Sequence, residues 1–149
     1  IATSGKLYKT PYNKRYYIDY NEKYTWFEAQ HECSTKNMTL VAIESSFKSQ
    51  EINTMLNKSL EKRTSLWLGG FMTHYQDDRR YVWLATGQPF NYTLWAENQP
   101  SICNRDEYCI KIVFANNTKW NSDSCHHTNG FICEYDNKDL RLKEQKLEI

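Results

Sequence analysis

Apolar and polar positions along the chain change period twice, from strand-like to helical and back. Lys14-Arg15-Tyr16-Tyr17-Ile18-Asp19-Tyr20 is aromatic and β-branched, which predicts an early strand. Thr25, with Glu28 three residues on, forms a capping-box pattern and predicts a helix carrying Phe27, Ala29, Gln30 and Cys33. Ser45 or Ser46 would cap a second helix, with Phe47, Ile52, Leu56 and Leu60 near helical spacing. The spacing then reverts to short β-like runs: Leu66 to Phe71, Tyr81 to Leu84, Ile110 to Phe114, Lys119 to Asn121 and Phe131 to Tyr135. Between the second and third runs lies a stretch, roughly 86–107, rich in Gly, Pro, Asn and Gln. So long an irregular segment inside a compact domain is expected to be functional.

Strand, two helices, then strands interrupted by one long loop predicts an α+β domain over residues 1–135. Residues 1–11, with Gly5, Pro11 and little periodicity, read as a loose lead-in. Residues 136–149 are mostly charged with interspersed Leu140, Leu142, Leu147 and Ile149, and read as a solvated C-terminal tail. A length of 149 residues fits one domain with a sizeable core. Lys plus Arg number 19 and Asp plus Glu 18, so charge gives no reason to expect nucleic acid or an anionic membrane as partner. The longest apolar runs are too short to span a bilayer.

Two features point to an oxidising, extracellular compartment. Five cysteines, at 33, 103, 109, 125 and 133, occur without any Cys-x-x-Cys pair. Four Asn-x-Ser/Thr sequons, at Asn37, Asn57, Asn91 and Asn116, are candidate glycosylation sites. A start at Ile1 without an apolar leader is expected of a processed secretory chain, or equally of a trimmed one.

Several short motifs share one order and spacing: Trp67-Leu68-Gly69-Gly70, Trp83-Leu84-Ala85-Thr86-Gly87, Trp95-Ala96, Gln99-Pro100-Ser101, Glu107-Tyr108-Cys109-Ile110, Trp120-Asn121-Ser122, Cys125 and Phe131-Ile132-Cys133-Glu134. Each is weak alone. Together, from about Tyr8 to Tyr135, the chain resembles the C-type lectin-like domain family, in the short, single-domain secreted style of invertebrate lectins. The resemblance implies two helices flanking short antiparallel sheets, with a long irregular binding loop. It implies disulfides Cys33–Cys133 and Cys109–Cys125, which the sequence alone does not select. In the chain-entropy picture these would stabilise by roughly 4–5 and 3 kcal/mol. Cys103 is left as an unpaired thiol or an intermolecular bridge to a second chain.

Carried over by position, the resemblance places a calcium site at Gln99, Ser101, Glu107, Asn121 and Ser122, with Gln99, Ser101, Glu107 and Asn121 also meeting carbohydrate. The peptide bond before the proline is usually cis in such sites. Here Ser101 stands where the family has Asn or Asp, and Ser122 where it has Asp. A serine hydroxyl is neutral and cannot ligate bidentately, and ligand charge largely sets calcium affinity. Calcium is therefore expected to bind weakly or not at all. Asp123 and Asp106 are neighbouring carboxylates that a shifted backbone could recruit. Gln99 leans toward galactose-type selectivity in an intact site. Tyr92, Trp95 and Tyr108 are candidate stacking residues, although Trp95 suits the core better.

His31, His74, His126 and His127 show no metal-ligand spacing, and no catalytic motif is present. Gly69-Gly70 suits close strand packing rather than phosphate binding. The expected function is thus that of a secreted, non-enzymatic binding protein. One form recognises glycans or glycoproteins, on microbes or self, as in innate immunity, through a degenerate calcium site. The alternative is a calcium-independent protein-interaction module acting as a disulfide-linked or non-covalent oligomer.

Overall fold

The computed structural model describes residues 5–58, 64–75, 78–101, 108–113 and 118–135. Its elements are β1 (Lys6–Lys9), β2 (Arg15–Tyr24), α1 (Trp26–Ser34), β3 (Met38–Leu40), α2 (Ser46–Lys58), β4 (Ser65–Tyr75), β5 (Asp78–Trp83), β6 (Cys109–Val113), β7 (Lys119–Asp123) and β8 (Asn129–Tyr135). The strands join in the order β1-β2-β8-β4-β6-β7, with β3 on β8 and β5 on β4. All pairings are antiparallel except β4 with β8, where Leu66 faces Gly130 and Trp67 faces Phe131. This α+β arrangement of two helices and a mixed sheet is the predicted fold class.

Local chemistry sets the helix starts. The Thr25 side chain accepts from the Glu28 N–H while the Glu28 carboxylate accepts from the Thr25 N–H, closing the predicted capping box. Ser45 rather than Ser46 caps α2, its Oγ accepting from the Lys48 N–H at 3.2 Å. Phe27 and Phe47, placed on these helices from the sequence, are 61% and 52% exposed and so add nothing to the core.

The lead-in reading of residues 1–11 is corrected by the structure. Lys6–Lys9 is a strand, antiparallel to β2 from Lys6↔Ile18 to Lys9↔Arg15. At four residues on a sheet edge it buries too little for alternation to show. β3, three residues long and wholly buried, escapes the same test.

Two packed regions make the core. One brings Ile18, Val41, Ile52, Leu56, Leu66 and Leu68 together with Trp83 and Trp120. The other surrounds the disulfide Cys33–Cys133 with Trp26, Ala29, Leu40, Trp67 and Phe131. Gly69 is needed where they meet, since a Cβ there would lie 2.6 Å from the Leu40 carbonyl oxygen. No helix among the described residues is long and apolar enough to cross a membrane.

Candidate functional site

Aromatic stacking fixes the beginning of the long loop. Phe90 stacks on Trp83 at 4.0 Å and meets Trp120 edge-on at 5.6 Å. Trp95 packs on the same cluster, 5.9 Å from Trp120, so it serves the core as expected. Backbone bonds complete the anchor: Trp120 N–H donates to Leu94 O at 2.8 Å, and Ala96 N–H donates to Trp120 O at 2.9 Å. The loop is thereby tied to β7 two residues before Ser122.

From that anchor the chain turns through Asn98, at φ 63°, and the Gln99–Pro100 peptide is cis. Three of the predicted site residues then meet directly. The Ser122 N–H and hydroxyl both donate to Gln99 Oε1, at 3.0 and 3.1 Å, and the Ser101 N–H donates to Ser122 Oγ at 2.9 Å. A carbonyl oxygen has two lone pairs, and these two donors occupy both on Gln99.

Asn121 and Asp123 lie on the face of β7 opposite Ser122, by strand alternation. Asn121 Oδ1 is buried with no hydrogen-bond partner among the described residues. Asp123 is 8% exposed and already engaged: it ion-pairs with Lys111 at 3.1 Å, meets His127 Nδ1 at 2.7 Å and accepts from Asn129 Nδ2 at 3.2 Å. Burial raises its pKa, but these hydrogen bonds and the Lys111 charge outweigh that and hold the carboxyl below its usual range. The sequence offered little warning of this network, because Lys111 reaches Asp123 across the β6–β7 ladder. The disulfide Cys109–Cys125 closes the flank, as the resemblance implied.

Glu107, Asp106, Cys103, the sequon at Asn116 and the tail 136–149 lie outside the described residues. Asn37, Asn57 and Asn91 are exposed. Among the described residues, no group of three or more His, Cys, Asp or Glu side chains converges as a metal cluster would.

The family profile of the Lectin C-type domain matches residues 22–135. The chain belongs to the C-type lectin domain family. Lectin subunit alpha of Sarcophaga peregrina is 34% identical over 140 residues, which is 89% of this chain but 48% of that protein, so the chain spans about half of that relative. The mouse scavenger receptor C-type lectin carbohydrate-recognition domain superposes with a TM-score of 0.69 at 26% identity, covering 91% of this chain and 98% of that one. Human lithostathine, at 22% identity, matches in fold with a TM-score of 0.72 over 92% of this chain and all of its own.

In this C-type lectin domain the described donors do not fit a tight calcium site. Gln99, Ser101, Asn121 and Ser122 are all neutral. The oxygen of Gln99 is spent on Ser122, and the carboxylate of Asp123 is spent on Lys111 and His127. Among these described site residues, the Asn121 Oδ1 oxygen is a buried acceptor without a donor.

Proposed function

We propose that this chain is a secreted, glycan-recognising lectin domain whose long-loop calcium site is degenerate, so that calcium binds weakly or not at all. The single observation that supports the reading is the closed triad of Gln99, Ser101 and Ser122, in which the Gln99 oxygen and the Ser122 hydroxyl are committed to partners within the protein. Sugar contact at this loop then rests on neutral hydrogen bonding from Gln99 and Ser101, with Asn121 and Glu107 as the remaining family positions.

Calorimetric titration with calcium, paired with melting curves with and without chelator, tests it. The expected result is a flat or millimolar isotherm and an unchanged melt. The double substitution Ser101→Asp, Ser122→Asp should raise calcium affinity by at least about tenfold, because it restores two carboxylates. A tight isotherm from the unaltered chain would overturn the degenerate-site reading.

One observation favours the alternative, a calcium-independent protein contact. An apolar cleft of about 570 Å³ beside the Cys109–Cys125 disulfide is walled by Trp26, Phe71 and Met72, with Phe27, Leu84 and Tyr108 on its exposed side. Glycan arrays read with and without chelator separate the two. Signal that survives chelation supports calcium-independent sugar binding, and a blank array shifts the weight to the protein contact.

A further inference from the structure

On a different part of the fold, built from β1, the turn after it and α2, lies a groove of about 370 Å³. None of its residues belongs to the long loop, so it stands independently of the reading above. Helical spacing aligns its α2 wall: Phe47, Glu51, Met55 and Lys58 fall on one face. Tyr8 and Tyr12 form the opposite wall. Tyr12 and Phe47 meet edge-on at 5.0 Å, yet are 62% and 52% exposed, an unusual solvent position for two large rings in contact.

Glu51 lines the same groove and is only 9% exposed. Its Oε1 accepts from the Tyr16 hydroxyl at 3.2 Å, while Oε2 is buried with no hydrogen-bond partner. Burial, and then the Glu134 and Glu51 carboxylates, push the Tyr16 hydroxyl far above its ordinary range, so it stays a donor and fixes Glu51 as an acceptor. A buried carboxyl oxygen left without a donor is costly and turns a partial negative charge toward the groove. Lys9 and Lys58, both exposed, line the same groove, and neither forms an ion pair with Glu51 among the described residues.

The groove therefore offers two complementary demands. Aromatic faces beside a buried acceptor oxygen suit an alkylated ammonium. Flexible lysines at the rim suit a phosphate. Oε2 is closed off from direct contact, so it acts through its field, which favours a quaternary ammonium over a primary one that must place its N–H donors. From these features we infer that the groove between β1 and α2 binds a phosphocholine group, its trimethylammonium against Tyr8, Tyr12 and Phe47 and its phosphate toward Lys9 and Lys58.

Titration of the chain with phosphocholine in the presence of chelator is the test, with phosphoethanolamine, choline and inorganic phosphate as comparators. Phosphocholine should bind most tightly and be indifferent to chelator. Tyr12→Ala and Phe47→Ala, at exposed positions that leave the fold intact, should each weaken it by roughly tenfold. Glu51→Gln should do the same with the circular dichroism spectrum unchanged. Co-sedimentation with phosphatidylcholine vesicles, beside capture on phosphocholine-conjugated albumin, tells a lipid source from a soluble or glycan-borne one, and binding to either supports the groove. Absence of phosphocholine binding at millimolar concentration, binding untouched by both aromatic substitutions, or binding abolished by chelator would each overturn it.

Discussion

Trp120 and Ser122 stand two residues apart on β7, both buried, and they serve different ends. Trp120 is locked among Trp83, Phe90 and Trp95, where shape and apolar area decide what is tolerated. Ser122 sits in a small polar lattice with Gln99 and Ser101, where only donors and acceptors count. The first environment demands a large ring. The second accepts a neutral hydroxyl where the family carries a charged ligand, provided each lone pair and proton finds a partner. A lectin scaffold can therefore change its metal chemistry while its loop stays anchored, because anchor and lattice draw on separate interactions.

Removing the anchor's covalent frame is the hardest blow to that separation. Replacing Cys33 and Cys133 by Ala, which opens a span of 100 residues, should cost about 4–5 kcal/mol in urea unfolding. Replacing Cys109 and Cys125, 16 apart, should cost about 3 kcal/mol. Equal losses would show that loop length is not what sets the difference.

Trp83→Ala should cost nearly as much, about 3–5 kcal/mol, since Trp83 is 1% exposed and carries the stack with Phe90. The two regions also predict different outcomes for the triad. Trp83→Ala should loosen it by releasing the loop's start, visible as faster amide exchange at Ser101 and Ser122. If exchange there stays slow, the lattice holds without its anchor.

Acid should act through Asp123, on the face of β7 opposite the lattice, and leave the tryptophan anchor unchanged. The Asp123 carboxyl has a folded pKa below its unfolded one, so its contribution is present above about pH 4 and is lost as pH falls through the folded value. Asp123→Asn should therefore flatten the acid limb of the stability curve and cost about 1–3 kcal/mol at neutral pH, because Lys111 loses its partner. An acid limb with the unaltered slope would place the titration elsewhere.

The smallest effect is expected at the lattice. Ser122→Ala removes one donor to Gln99 and the acceptor of the Ser101 N–H, and should cost about 1 kcal/mol by thermal melting. A loss several times larger would mean the lattice supports the fold as well as the site.

The sequence disclosed these two regions unequally. The capping box at Thr25, the tryptophans and the cysteine framework were legible because local patterns and large apolar residues carry them. β1 and β3 were not, since four and three residues give periodicity too little length. The serines at 101 and 122, where the resemblance expects carboxylate or amide side chains, could be read directly from the chain. Their mutual hydrogen bonds could not, and neither could the commitment of Asp123 to Lys111, since both link residues brought together only by the folded ladder.

The position of β8 has a consequence for how the molecule is made. It is the final strand described along the chain, yet it lies inside the sheet, pairing with β2, β3 and β4. A ribosome delivers it after all the strands that need it. Until then β2 and β4 have an open edge where β8 belongs, and the thiol of Cys33 waits for Cys133. The sheet therefore closes only once β8 has emerged, in slow non-local steps. In that interval the earlier strands present unpaired edges, the condition in which sheets mispair.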